Sequence, residues 1–187
     1  MAGQSASIRS VCSRCTNGAG KLIGLGVSPR RLWIPFVTIF VALVLIVLPM
    51  QDLVRGFMPD WVSLVLIYWA MAMPSRMGIP IGWFAGLLVD ILTMGIPGAH
   101  ALSKAVIVYA TASLATRVRA FPLWQQSVVV MLLVGLEVLL LSLTGLLVGE
   151  KIAGLHLWTA VVVGGLVWPA VYHVLRRLRL STTMGGN

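Results

Sequence analysis

Acidic residues are scarce in this chain, with 5 Asp+Glu among 187 residues, and charged residues of all kinds make up only 10%. That is too little charge to cover a soluble globule of this length. The chain also lacks a G-x-S-x-G elbow, an H-E-x-x-H pair and a phosphate-binding glycine loop, so the common carriers of hydrolytic, zinc and nucleotide chemistry are missing. What it has in quantity is apolar sequence, 59% hydrophobic, with a mean hydropathy of +0.97. Secreted, disordered and fibrous classes are excluded, and the fold class expected is all-α, a polytopic helix bundle whose solvent is lipid. The 14 Lys+Arg give a net charge of +9. In a soluble chain that would suggest nucleic acid, but here the basic residues sit at the ends of apolar runs, and nucleic acid is not an expected partner.

Residues 1–30 form a separate basic region rich in Ser, Gly and Ala, holding Arg9, Arg14, Lys21 and Arg30, with Arg31 beside it and no acid. Nothing in it predicts a packed core, and it reads as a disordered tail. The first apolar run, from Ile34 to about Met50, is just long enough at 1.5 Å per residue to cross a hydrocarbon core of about 30 Å. Leu48-Pro49-Met50-Gln51-Asp52 lacks the small-residue pattern of signal cleavage, so the run reads as a retained helix. Further apolar stretches fall at about 61–74, 78–94, 99–116, 123–148 and 155–175, which gives six transmembrane helices over a domain of 31–180 and a short tail at 181–187. The second, from Trp61 to Pro74, is short for a span; tilting, bilayer thinning or burial behind neighbours would each accommodate it, and five spans is the competing count.

Charge placement favours six spans. The five basic residues of the amino-terminal region, Arg76, Arg117, Arg119 and the group Arg176, Arg177 and Arg179 all fall on one side, where Lys and Arg of short cytoplasmic loops collect. Arg55 and Lys151 fall on the other, accompanied by Asp52, Asp60 and Glu150. Both termini are therefore expected in the cytoplasm. Trp33, Trp61, Trp124, Trp158 and the Trp168-Pro169 pair lie near predicted helix ends and read as interfacial anchors.

Ionisable residues inside spans need a partner, a proton or water, and there are four: Asp90, His100, Lys104 and Glu137. Gly95-Ile96-Pro97-Gly98 is short enough to force an antiparallel hairpin, so counting equally from the turn sets Asp90 at the level of Ser103 and Lys104. His100 and Lys104 share a helix face at i, i+4, and Asp90 extends the Gly82, Gly86 series at the same spacing. The expectation is an Asp90–Lys104 pair, with His100 beside it, about 10 Å below the extracytoplasmic helix end. Such a pair serves either as a polar pocket or partner contact or as a clasp within the hairpin, and the glycine stripe admits a close helix neighbour. Glu137, mid-helix among Leu and Val, is expected to be protonated and hydrogen-bonded between helices.

Cys12-Ser-Arg-Cys15 has metal or redox spacing, but with no second pair and no His nearby it reads as a reduced, incidental pair, and neither metal nor cofactor is expected. Ser63, Ser103, Ser113, Ser127 and Ser142 have no base at a spacing that would activate a nucleophile, so no enzymatic activity is expected.

Pro59-Asp60-Trp61, Tyr68-Trp69, Met73-Pro74, Gly82-x-x-x-Gly86-Leu-x-x-Asp90, Gly98-x-x-Ala101-Leu102, Tyr109 and Leu123-Trp124-Gln125-Gln126 occur in that order, followed by Trp168-Pro169 and a basic end. From about residue 33 to 180 the chain resembles the rod shape-determining protein MreD family. The resemblance implies a small inner-membrane scaffold of the bacterial elongation machinery, without enzymatic activity or cofactor, that binds MreC. Through MreC it would connect to MreB, to the glycosyltransferase RodA and to its partner transpeptidase in lateral peptidoglycan synthesis. It also implies a fold similar to the six-helix substrate-binding subunits of energy-coupling-factor transporters. Carried over by position, the motif residues are Pro59, Asp60, Gly82, Gly86, Asp90, Gly98, Tyr109, Trp124, Gln125 and Gln126. Several relatives have a basic residue near His100, whereas Lys104 departs from the family, which makes His100 the more general partner of Asp90. Anionic lipid, attracted to the basic ends, and a second copy of the chain within the complex complete the expected partners. Two other classes are weighed against the scaffold. A small-molecule uptake subunit would carry Ala-x-x-x-Ala on the first helix, where Ala42 stands alone, and an intramembrane enzyme would need Asp90 or Glu137 open to water.

Overall fold

The computed structural model describes residues 30–47, 59–74, 77–149 and 156–184. The basic tail with Cys12 and Cys15, and the loop residues Asp52, Arg55, Arg76, Glu150 and Lys151, lie outside the described residues. The chain divides into two units, Met1–Trp33 and Ile34–Asn187. Of the first, the described residues are the opening turn of a helix; the second holds the rest of that helix and the bundle.

Six helices appear, and no strand, among the described residues: α1 Arg30–Val47, α2 Trp61–Ala72, α3 Ile79–Thr93, α4 Ala99–Val118, α5 Leu123–Val148 and α6 His156–Met184. Two of them, over Leu123–Val148 and Trp158–Ser181, are long and apolar enough to cross a membrane; Trp33–Val47, Trp61–Ala72 and Ile79–Thr93 are apolar but shorter. Helix α4 has 20 residues but carries His100, Lys104 and Arg117, which lowers its apolar character. Helix α6 runs to Met184, past the expected end of the bundle at 180.

The short second helix lies at the centre. Its 12 residues reach only about 18 Å at the usual rise. From Val62 to Met71 every residue is buried, which is the burial behind neighbours that its length allowed. It packs on α4, α6 and α5, while α4 also packs on α3 and α5, and α5 on α6. Trp69 and Trp168 are among the largest fully buried side chains. Trp168, expected as an interfacial anchor, is thus an interior residue, in ring contact with Tyr172, which in turn meets Tyr68 edge-on at 5.8 Å. Trp33 and Trp124 are exposed as anchors would be. The Trp69 indole donates to Thr38 Oγ1 at 2.8 Å and ties α1 to α2.

The surface is the reverse of a soluble protein's. Phe84, Leu132, Leu147 and Leu166 are exposed, whereas Lys104, Asp90 and Glu137 are buried. Apolar residues facing outward and charges facing inward suit a bundle that meets lipid rather than water.

Glycine sets the closest helix contact. A Cβ on Gly86 would overlap the His100 carbonyl oxygen and Ala101 Cα, and one on Gly82 would stand 2.7 Å from Val108 Cγ2 and 2.9 Å from the Lys104 carbonyl oxygen. The stripe is therefore filled from within the chain, by α4. We expect Gly86→Ala to destabilise the protein by about 1–3 kcal/mol or more, because the collision is with backbone that cannot rotate away. Gly145→Ala, which meets nothing within 4 Å, should leave stability unchanged. Thermal unfolding of both variants in detergent checks this, and equal melting temperatures would remove the packing role of Gly86.

Candidate functional site

The interior polar groups form two sites. At the first, Asp60 opens α2: with extended backbone (φ −70°, ψ 95°) it is the N-cap residue, and its Oδ1 accepts from the Val62 and Ser63 amides at 3.0 and 3.2 Å. An aspartate before an apolar run is a normal helix start, because the first amides have no partner inside the helix. Its other oxygen turns inward, where Lys104 arrives from α4. The ammonium donates to Asp60 Oδ2 at 2.6 Å, to Ser63 Oγ at 2.8 Å and to Glu137 Oε1, on α5, at 2.7 Å. Lys104 has three N–H bonds and three acceptors, so its donors are all used. Ser63 Oγ lies 2.5 Å from Glu137 Oε2 and 3.1 Å from Asp60 Oδ2, and donates its one proton to this carboxylate pair. Three helices thus meet on one cation. The Lys104 side chain is fully buried and that of Glu137 nearly so, while the Asp60 side chain keeps 27% exposure.

The structure corrects the expected pairing. Lys104 meets Asp60 and Glu137 rather than Asp90, so Glu137, expected as a protonated acid hydrogen-bonded between helices, is hydrogen-bonded between helices but to a cation, at 2.7 Å. Ser63, with no base expected, stands beside an amine. That amine donates in three directions, and the serine hydroxyl is shared between it and the Asp60 and Glu137 carboxylates. The signal in the sequence that points to the cluster is charge balance: one cation inside a span, one acid inside another, and one acid at a helix start.

Asp90 forms the second site. The α4 N-cap is Gly98, which has no side chain to accept from the first amides and adopts a left-handed conformation (φ 92°). Asp90 reaches across from α3 to do so, accepting from the Gly98, His100 and Ala101 amides at 3.0, 3.0 and 3.2 Å, with His100 Nδ1 at 2.9 Å from Oδ1. The expected Asp90–Lys104 pair is not formed; the side chain that meets Asp90 is His100, at 2.9 Å. The reason is register. Gly86 lies against His100 and Ala101, which sets Asp90, one turn on, at the start of α4 rather than at the level of Lys104. The turn does not divide evenly between the helices, since Met94 also takes a left-handed conformation (φ 49°) at the end of α3. A carboxylate placed at a helix amino end satisfies unpaired amides and meets the positive end of the dipole.

The remaining motif residues are spread apart. Pro59 is buried next to Asp60, whereas Tyr109 and Trp124 are exposed and Gln125 is half-buried. Gln126 is buried at the start of α5, and its Nε2 donates to the Val118 and Phe121 carbonyls at 3.2 and 3.1 Å, closing the α4–α5 turn. No group of His, Cys, Asp and Glu among the described residues is arranged to hold a metal ion.

Both sites join helices, with the Asp60, Glu137 and Asp90 carboxylates and the Lys104 ammonium engaged by neighbours inside the bundle. Asp90→Asn keeps one acceptor oxygen and should cost about 0.5–2 kcal/mol, in the range of losing a cap, whereas Asp90→Leu strands three amides and should cost more. Thermal unfolding separates the two; equal losses would mean that the charge, rather than the hydrogen bonding, is what α4 requires.

Residues 30–178 match the family described as rod shape-determining protein MreD. Over 151 residues the chain is 32% identical to the rod shape-determining protein MreD of Haemophilus influenzae (strain ATCC 51907 / DSM 11121 / KW20 / Rd), covering 79% of this chain and 91% of the relative. No solved structure matches. The matched region takes in both polar sites and all but the last turn and a half of the bundle, and the chain belongs to the MreD family of rod shape-determining proteins.

Proposed function

We propose that this membrane protein, with its family's role in rod shape, is a non-catalytic scaffold that binds MreC in the bacterial inner membrane and supports lateral peptidoglycan synthesis. In this reading all six helices cross or enter the bilayer, both termini are cytoplasmic, and MreB, RodA and the elongation transpeptidase are reached through the same complex. The observation that carries it is the distribution of chemistry. The described carboxylates, Asp60, Asp90 and Glu137, are all held by partners inside the bundle. What faces outward is apolar, including Phe40, Phe84, Leu132 and Leu166. A protein built this way offers surfaces at lipid depth and few reactive groups, and in such surroundings packing and a few hydrogen bonds hold partners together.

The test is purification of the tagged full chain from native membranes in mild detergent, with mass spectrometry of what accompanies it. MreC is expected in stoichiometric amount, and cells deleted for the protein should lose rod shape and regain it on complementation. Recovery of coupling ATPase subunits, or of no MreC, would overturn the scaffold reading.

A further inference from the structure

At the end of the bundle away from the Lys104 cluster, four helices leave a half-open cleft of about 240 Å³. It is lined by Tyr68 and Met71 of α2, Arg119 at the end of α4, Gln126 of α5, and Arg176 and Arg179 of α6. On α2, Met71 lies about 17 Å from Asp60 by helical rise. Among the described residues no acid lines the cleft, and the three described carboxylates are engaged elsewhere, at Lys104 and at the start of α4. Three guanidinium groups therefore converge with no carboxylate in the wall. The Arg119 Nε, at 2.5 Å, and one of its terminal nitrogens both donate to the Met71 carbonyl, which fixes the group in position at the cleft. Two of its five N–H donors are used there, and the remainder are left to other acceptors. Arg176 and Arg179 lie close enough to the Tyr68 hydroxyl to act on it electrostatically. Gln126 adds an acceptor: its amide nitrogen is committed to two carbonyls, and its buried Oε1 has no hydrogen-bond partner among the described residues.

We propose that this cleft binds a phosphate-ester anion that also carries a hydrogen-bond donor, the chemistry shared by an anionic phospholipid headgroup and a soluble phosphate ester. Arginine forks match phosphate oxygens, and the donor on the ester satisfies Gln126. The cleft is large enough to take a headgroup phosphate. The chains of a bound lipid would lie along the apolar outer face.

The test uses the full chain in detergent, titrated with phosphatidylglycerol and, separately, phosphatidylcholine, with native mass spectrometry counting bound lipid. All four arginines are exposed, but Arg176→Gln/Arg179→Gln removes two charges that line the cleft, and Arg117→Gln/Arg177→Gln removes two that do not. Phosphatidylglycerol should be retained over phosphatidylcholine, with affinity falling about tenfold or more in the cleft variant and less than about twofold in the control. If the double cleft variant does not fold, Arg176→Gln alone should show a loss in the same direction. Glycerol 3-phosphate in competition separates the sources: displacement assigns recognition to the soluble ester's phosphate, and no displacement assigns it to the lipid. Equal losses in the two double variants, equal retention of both lipids, or retention of neither lipid nor glycerol phosphate would overturn the proposal.

Discussion

One ammonium group holds this bundle's centre together. Lys104 is fully buried, and a lone cation at that depth is expensive enough that it must be neutralised on the spot. Asp60 and Glu137 do so from two other helices, with Ser63 completing the set of acceptors. The arrangement dictates much of what surrounds it. Helix α2 starts where Asp60 can both cap its first amides and face inward, so it begins beside the cation and Val62–Met71 lie buried among α4, α5 and α6. A helix too short to present itself to lipid at both ends becomes the core.

The α3–α4 hairpin is built on a second use of the same economy. Gly82 and Gly86 bring the two backbones together, and that approach carries Asp90 to the start of α4, where Gly98 offers no cap of its own. One carboxylate then serves three amides and an imidazole. With each described acid engaged inside, large apolar side chains such as Phe84, Leu132 and Leu166 face outward.

Much of this is readable from residues alone. The helical runs at 61–74, 78–94, 99–116 and 123–148 lie close to the helices observed, because long apolar segments bounded by Pro, Gly and charge leave few alternatives. The family is readable from the order of small motifs, and the glycine stripe correctly marks a close helix contact. Pairing is what the sequence hides. Counting residues from the turn assumes that both helices begin equally far from it, and the left-handed residues Met94 and Gly98 break that symmetry, so Asp90 meets amides and His100 instead of Lys104. Along the chain Lys104 stands 33 residues from Glu137 and 44 from Asp60, on three separate helices, a proximity that hydropathy does not encode. Trp168 looks like an anchor by sequence position, and burial by its neighbours makes it core.

The most direct measurement is a comparison of unfolding free energies for Lys104→Met, Glu137→Leu and the double variant Lys104→Met/Glu137→Leu. Removing the cation leaves Glu137 buried without its countercharge and should destabilise the protein by about 3–5 kcal/mol, whereas removing both members leaves an apolar contact and should restore a substantial part of that loss. Recovery in the double variant is the expected result. A double variant as unstable as the sum of its two single changes would contradict the idea that Lys104 holds the centre of the bundle through Glu137.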